Sequence, residues 1–190
     1  MRTVIIGGTY NPVHIGHLYL AEEVRKQLRY ERVIFVPSHV PAHKKMDECT
    51  TPEERLEMLH LATDGNDIIV DDCEIRRGGI SYMIETIDDI ESRYPIDGKI
   101  GLVIGDDLVE GLPKWKQWTA LKERVDLIVA HRNVNGKVDC QYPHAYIDNI
   151  ILPISSSGIR ERIRTNRAYR YLIPEPVYGY IEERRLYRGC

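Results

Sequence analysis

The chain has 190 residues, 43% of them hydrophobic and 29% charged, with a formal net charge of −3. This is enough apolar material for one domain with a sizeable core, and too acidic a balance for a generic nucleic-acid-binding surface. No apolar run approaches the ~20 residues of a membrane span, and the first apolar run begins at Thr3, so a cytoplasmic protein with no membrane partner is expected. The four cysteines are scattered without a Cys-x-x-Cys pair and read as reduced thiols.

Val4-Ile5-Ile6 predicts a short buried strand, and Gly7-Gly8 to Asn11-Pro12 predicts a tight loop. Helical periodicity follows over 15–29, with Leu18, Ala21, Val24 and Leu28 on one face. His14 and His17 then share one face at a helix start. Glycines admit a ligand close to the backbone, and a helix start offers unpaired N–H groups and partial positive charge. Two imidazoles beside such a loop suit polyphosphate.

Val33 to Val36 predicts the next strand, so strand, helix and strand form a right-handed βαβ unit in a parallel sheet. The loop after it carries His43, Lys44 and Lys45 at a strand's carboxyl end, where open α/β sheets bind ligands; a solvated basic loop is the plainer reading. Thr51-Pro52-Glu53-Glu54 is a helix start, predicting a helix to Thr63 with Leu56 and Leu59 inward. Ile68 to Val70 is a third strand, and Ser81 is expected to cap a helix from Tyr82 to about Ser92. Ile100 to Ile104 is a fourth strand, ending in Gly105-Asp106-Asp107, which suits ribose hydroxyls, a magnesium ion or an Asx turn. Trp115 and Trp118 lie three apart. Trp118 fits a core, while Trp115 has Pro113, Lys114 and Lys116 around it, as an exposed stacking ring would. Val125 to Ala130 is a fifth strand, followed by His131 and Arg132, and 146–152 contain a sixth. Ser155-Ser156-Ser157 open a helix with Arg160 one turn in, a second anion site. A closing helix is expected from Pro176 to Leu186, with Val177, Tyr180 and Ile181 inward.

The loop from Gly8 to His17 resembles that of the nucleotidylyltransferase superfamily, although His14-Ile15-Gly16-His17 also matches class I aminoacyl-tRNA synthetases. The chain is short for an anticodon module and has no Lys-Met-Ser-Lys-Ser, which disfavours the synthetases. Ser81-Tyr82, Gly105-Asp106-Asp107, Leu112-Pro113-Lys114-Trp115 and Ser156-Ser157-Gly158-Ile159-Arg160 follow in order, so nearly the whole chain resembles bacterial nicotinate mononucleotide adenylyltransferases. Three positions depart from the family pattern: Asn11 for Asp, Ala42 for Pro and Met83 for Thr.

The resemblance implies a single domain over 1–190, with a Rossmann-like open parallel β-sheet flanked by helices over 1–154 and C-terminal helices over 155–190. It implies transfer of AMP from ATP to nicotinate mononucleotide, without a covalent enzyme intermediate. Mg2+ would be held mainly by ATP phosphates, with no protein metal site. His17, His14 and Arg160 would be catalytic. Gly8, Thr9, Tyr10, Gly105, Asp107, Ser156 and Ser157 would join them in binding ATP. Lys44, Ser81, Tyr82, Met83, Asp107, Trp115, Lys116 and Arg132 would bind the mononucleotide. Nucleic-acid and membrane partners are not expected, and a homo-oligomer is left open. The rival readings are another acceptor such as nicotinamide mononucleotide or phosphopantetheine, a non-catalytic nucleotide sensor on the same fold, and, weakest, a metal hydrolase using His14 and His17.

Overall fold

The computed structural model describes residues 1–42, 49–63, 68–132 and 138–189. Its central sheet has six parallel strands: β1 (Thr3–Gly8), β2 (Arg32–Pro37), β4 (Ile68–Val70), β6 (Ile100–Gly105), β7 (Val125–Ala130) and β8 (His144–Ile147). They lie in the order β4-β2-β1-β6-β7-β8, so the chain leaves β1 in one direction and later returns to pair β6 on its other side. That reversal opens a crevice beyond the carboxyl ends of β1 and β6. A small parallel pair, β3 (Val40–Pro41) with β5 (Ile80–Ser81), flanks it.

Side chains alternate across a strand, and here both sheet faces are covered. Val4 and Ile6 of β1 join one core with Ala21 and Val24 of α1 (Ile15–Leu28), Met58 and Leu59 of α2 (Pro52–Thr63), Ile159 of α6 (Ser156–Arg164) and Ile181 of α7 (Glu175–Arg184). Ile5 joins the opposite core with Cys73 of α3 (Cys73–Arg77), Ile87 of α4 (Met83–Arg93) and Leu121 of α5 (Trp118–Arg124). The two-sided burial explains why the strands read as continuous apolar runs.

The α2 start is a reciprocal capping box: Thr51 N–H donates to Glu54 Oε2 at 2.9 Å, and Glu54 N–H donates to Thr51 Oγ1 at 3.2 Å. Its buried face differs from the one expected. Arg55, Met58, Leu59 and Ala62 are buried while Leu56 and Leu61 are half-buried, because Arg55 turns into the interior to reach backbone carbonyls. Ser81 does not cap α4. Tyr82 occupies the cap position, and Ser81 Oγ accepts the His39 N–H at 3.0 Å. Residues 106–114 form a 3-10 segment (Asp106–Lys114) that no periodicity announced. Cys73 and Cys140 are free and buried, whereas Cys49 is disulfide-bonded, contrary to the expectation of four reduced thiols. Among the described residues no helix is long and apolar enough to cross a membrane.

Candidate active site

The crevice holds a cavity of about 810 Å³. All the sequence-derived candidates within the described residues line it: Gly8, Thr9, Tyr10, His14 and His17; Ser81, Tyr82 and Met83; Gly105, Asp107, Trp115, Lys116 and Arg132; and Ser156, Ser157 and Arg160. Lys44 lies outside the described residues. Linearly distant segments converge because most occupy a strand's carboxyl end or a helix start, with Trp115 and Lys116 just past the end of the 3-10 segment.

The two imidazoles are stacked, with ring centroids 3.7 Å apart. His17 Nδ1 accepts the His14 N–H at 3.1 Å. In the neutral ring that acceptor role puts the hydrogen on Nε2, so Nε2–H is the donor. Tyr10 braces His17 edge-on at 4.9 Å and anchors its own hydroxyl on the Ile6 carbonyl at 2.6 Å. A Cβ on Gly8 would lie 3.0 Å from the Tyr10 ring, so glycine lets that ring pack against the loop.

His14 is 6% exposed, and burial, with the charge of Arg132 second, pushes its ring down to about 4. It is therefore neutral at pH 7. The unfolded ring takes a proton below about 6.5, whereas the folded one resists until about 4, so its contribution to stability is present above the first value and lost as pH falls toward the second. The wild type is expected to lose about 2 kcal/mol through this group between pH 7 and 5. Denaturant midpoints at the two pH values should show a correspondingly smaller loss in His14→Asn; equal losses would place the titration elsewhere.

Asn11 explains one departure from the family pattern. Its Oδ1 accepts the hydroxyls of Thr50 at 2.7 Å and Tyr187 at 2.8 Å. The position works as a buried acceptor that ties the loop to the α2 start and the chain's end, and an amide oxygen can do this. The start of α6 docks on the same loop: Ser156 Oγ donates to the Pro12 carbonyl at 2.8 Å and Arg160 Nη1 to the Asn11 carbonyl at 2.7 Å. Ser155 is the N-cap, accepting the Gly158 N–H at 3.1 Å, and its hydroxyl meets that of Ser157 at 3.2 Å. With its hydroxyl proton given to Pro12, Ser156 offers an anion chiefly its backbone N–H.

An aromatic part of the lining comes from α4 and the 3-10 segment. Trp118 is core, 6% exposed, while Trp115 is half-buried, packed edge-on against it at 6.3 Å, and lines the cavity. Lys116 Nζ sits 4.3 Å over the Tyr82 ring and 2.6 Å from Glu85 Oε1. Met83 opens α4, where the first N–H groups have no intrahelical acceptors. A Cβ on Gly105 would stand 2.2 Å from Asp107 Oδ1 and 2.6 Å from Arg132 Cδ, so only glycine lets these two side chains close over the backbone.

Three further residues shape the site: Asp106, read from the sequence only as one of the carboxylates at a strand's end, and Glu74 and Arg55, which were not singled out. Asp106 is 1% exposed and accepts from His131, the Arg132 N–H and Tyr146. Glu74 lines the cavity with its carboxyl raised by burial and accepts from Thr86 Oγ1. Arg55 is fully buried beneath the loops. No local signal set Arg55 or Glu74 apart from a solvent-facing residue of the same type.

A family model described as Cytidylyltransferase-like matches residues 5–162. A Borrelia garinii subsp. bavariensis protein named "Probable nicotinate-nucleotide adenylyltransferase" is 46% identical over 188 residues, covering 98% of this chain and 95% of that protein. The chain belongs to this family, in its nicotinate-nucleotide adenylyltransferase branch. A Treponema pallidum relative of the same name is 38% identical, with 100% of each chain covered. A solved Plasmodium falciparum nicotinic acid mononucleotide adenylyltransferase, complexed with NaAD, superposes with a TM-score of 0.76 over 98% of both chains. At 17% identity that likeness concerns the fold. That structure shares the Rossmann-like sheet seen here.

Proposed function

We propose that the protein transfers the adenylyl group of ATP to nicotinate mononucleotide, giving deamido-NAD and pyrophosphate in NAD synthesis. The observation that carries this is one cavity at the strand-order reversal that joins a phosphate-type lining, from the α1 and α6 starts, to an aromatic lining of Tyr82 and Trp115. The acceptor's phosphate is already anionic at pH 7, so its oxygen attacks the α-phosphorus in line without a protein nucleophile or strong base. A bond forms between that oxygen and the α-phosphorus, the α–β bridging bond breaks, and pyrophosphate leaves with the electron pair. Catalysis is then positioning plus stabilisation of developing charge.

His17 Nε2–H and His14 meet α- and β-phosphate oxygens in this reading. The α6 N–H groups at Ser156 and Ser157, with Arg160, hold the leaving end. Gly8, Thr9 and Tyr10 shape the ATP side of the loop, and Gly105 leaves room for Asp107 to meet a ribose. Lys44 and Arg132 hold the acceptor's phosphate, Trp115 stacks on the pyridine ring, and N–H groups near Met83 and Lys116 receive its carboxylate. The cavity lining is rich in donors for anions. Mg2+ therefore fits as a companion of ATP, supplying charge neutralisation on the phosphates.

The test supplies ATP, Mg2+ and either nicotinate or nicotinamide mononucleotide, and measures pyrophosphate and dinucleotide. Rapid deamido-NAD with little NAD is expected; no pyrophosphate with either acceptor would overturn the reading. In the same assay Trp115→Ala is expected to raise KM for the mononucleotide about fivefold to 150-fold, the ~1–3 kcal/mol of a lost stacking ring. An unchanged KM would remove Trp115 from the pyridine site.

A further inference from the structure

We propose that Asp106 is a positioning residue: its buried carboxylate holds the root of Arg132 so that the guanidinium is already aimed when the acceptor's phosphate arrives. Asp106 opens the 3-10 segment after β6, yet its partners come from the two strands beyond. His131 Nδ1 lies 3.1 Å from Oδ2, the Arg132 N–H donates to Oδ1 at 3.1 Å, and the Tyr146 hydroxyl donates to Oδ2 at 3.0 Å. One side chain thereby ties the carboxyl ends of β6 and β7 to β8.

Burying a carboxylate is expensive unless donors surround it, and an apolar side chain could often fill such a space at no loss of stability. A buried acid that collects donors from neighbouring strands fixes geometry, and what it fixes is the start of Arg132. The His131 backbone is held as well, donating to Asn149 Oδ1 at 2.8 Å and accepting from Asn149 Nδ2 at 2.8 Å. Further out, the Arg132 arm crosses Gly105, and Nη1 stands 3.4 Å from Asp107 Oδ1. The root is held by the hydrogen bond from its N–H to the buried Asp106 carboxylate, while the arginine side chain is 56% exposed beside the cavity. An arginine side chain loses rotamer entropy when it is fixed, and holding its root in place before binding spares part of that loss.

The inference rests on the reading of Arg132 as an acceptor-phosphate ligand, and a double-mutant cycle separates the two. Asp106→Asn is expected to raise KM for nicotinate mononucleotide about tenfold, with kcat and KM for ATP within about twofold. In an Arg132→Ala background the same change should move that KM by no more than about twofold, because the group it positions is gone. Tyr146→Phe removes one donor and keeps the ring, so a smaller rise in the same KM is expected, and it carries the test if Asp106→Asn does not fold. Equal factors in both backgrounds, or a loss of thermal stability without a change in KM, would overturn the positioning role alone. An Arg132→Ala enzyme with normal KM would overturn the reading of Arg132 and this proposal with it.

Discussion

His17→Ala is expected to lower kcat by about 10²–10³-fold while KM for the mononucleotide moves little, as is typical when one donor to developing charge is lost. The reason is the direction of its ring. Nδ1 is engaged by the His14 N–H, which leaves Nε2–H as the donor of the neutral imidazole. Stacking on His14 at 3.7 Å and edge contact with Tyr10 at 4.9 Å hold the ring before substrate binds. Such a preorganised donor acts where charge builds on the phosphates, and its loss therefore falls on the transition state rather than on binding. The substitution also removes a capping hydrogen bond at the α1 start, at about 1 kcal/mol, which should leave the protein folded. Steady-state rates at saturating ATP and mononucleotide, with a thermal melt of each variant, decide it. A normal kcat would remove His17 from the chemistry.

Arg55→Leu is expected to destabilise the fold by about 3–5 kcal/mol, because three carbonyls lose a charged donor and a buried acceptor left unsatisfied costs about 1–3 kcal/mol. The Arg55 side chain is fully buried. Its Nη1 donates to the Thr9 carbonyl at 2.8 Å and the Ser38 carbonyl at 2.6 Å, and Nη2 to the His39 carbonyl at 3.0 Å. These carbonyls lie just past the ends of β1 and β2, where the ladder stops and backbone oxygens run out of partners. Leucine fills comparable space but strands them. The loss should therefore appear both in a denaturant midpoint and in activity, since Thr9 belongs to the loop proposed to hold ATP. Arg55→Lys, keeping the charge without the planar fork, should recover only part of the stability. An Arg55→Leu protein as stable as wild type would mean that water reaches these carbonyls and the arginine is dispensable.

Most of the sheet was legible because its signals are local. β1, β2, β4, β6 and β7 are short apolar runs ended by glycine, proline or polar residues, and the helices between them follow periodicity and caps such as Thr51 with Glu54. The cavity lining was legible for a related reason: residues at or just past strand ends border the crevice of such a sheet, so Gly8, Asp107 and Arg132 could be picked out by position. α3, a helix of five residues between two loops, was too short to show a period. The 3-10 segment was missed too, since Pro113 and its acidic start read equally well as a loop.

What the sequence determined by itself was therefore the alternation of strands and helices, the apolar face of α1, the loop from Gly8 to His17, and the family to which these point. The tertiary structure alone decided which polar side chains are structural. Arg55 meets a carbonyl 46 residues away, Asp106 a hydroxyl 40 residues away, and Asn11 a hydroxyl 176 residues away. An acid or an arginine looks the same in sequence whether it faces water or three buried partners. Its partners are chosen by the strand order, which no local signal in the chain encodes. Ser81 shows the same limit: beside a helix start it looked like a cap, and the β3–β5 pairing made it an acceptor for His39 instead.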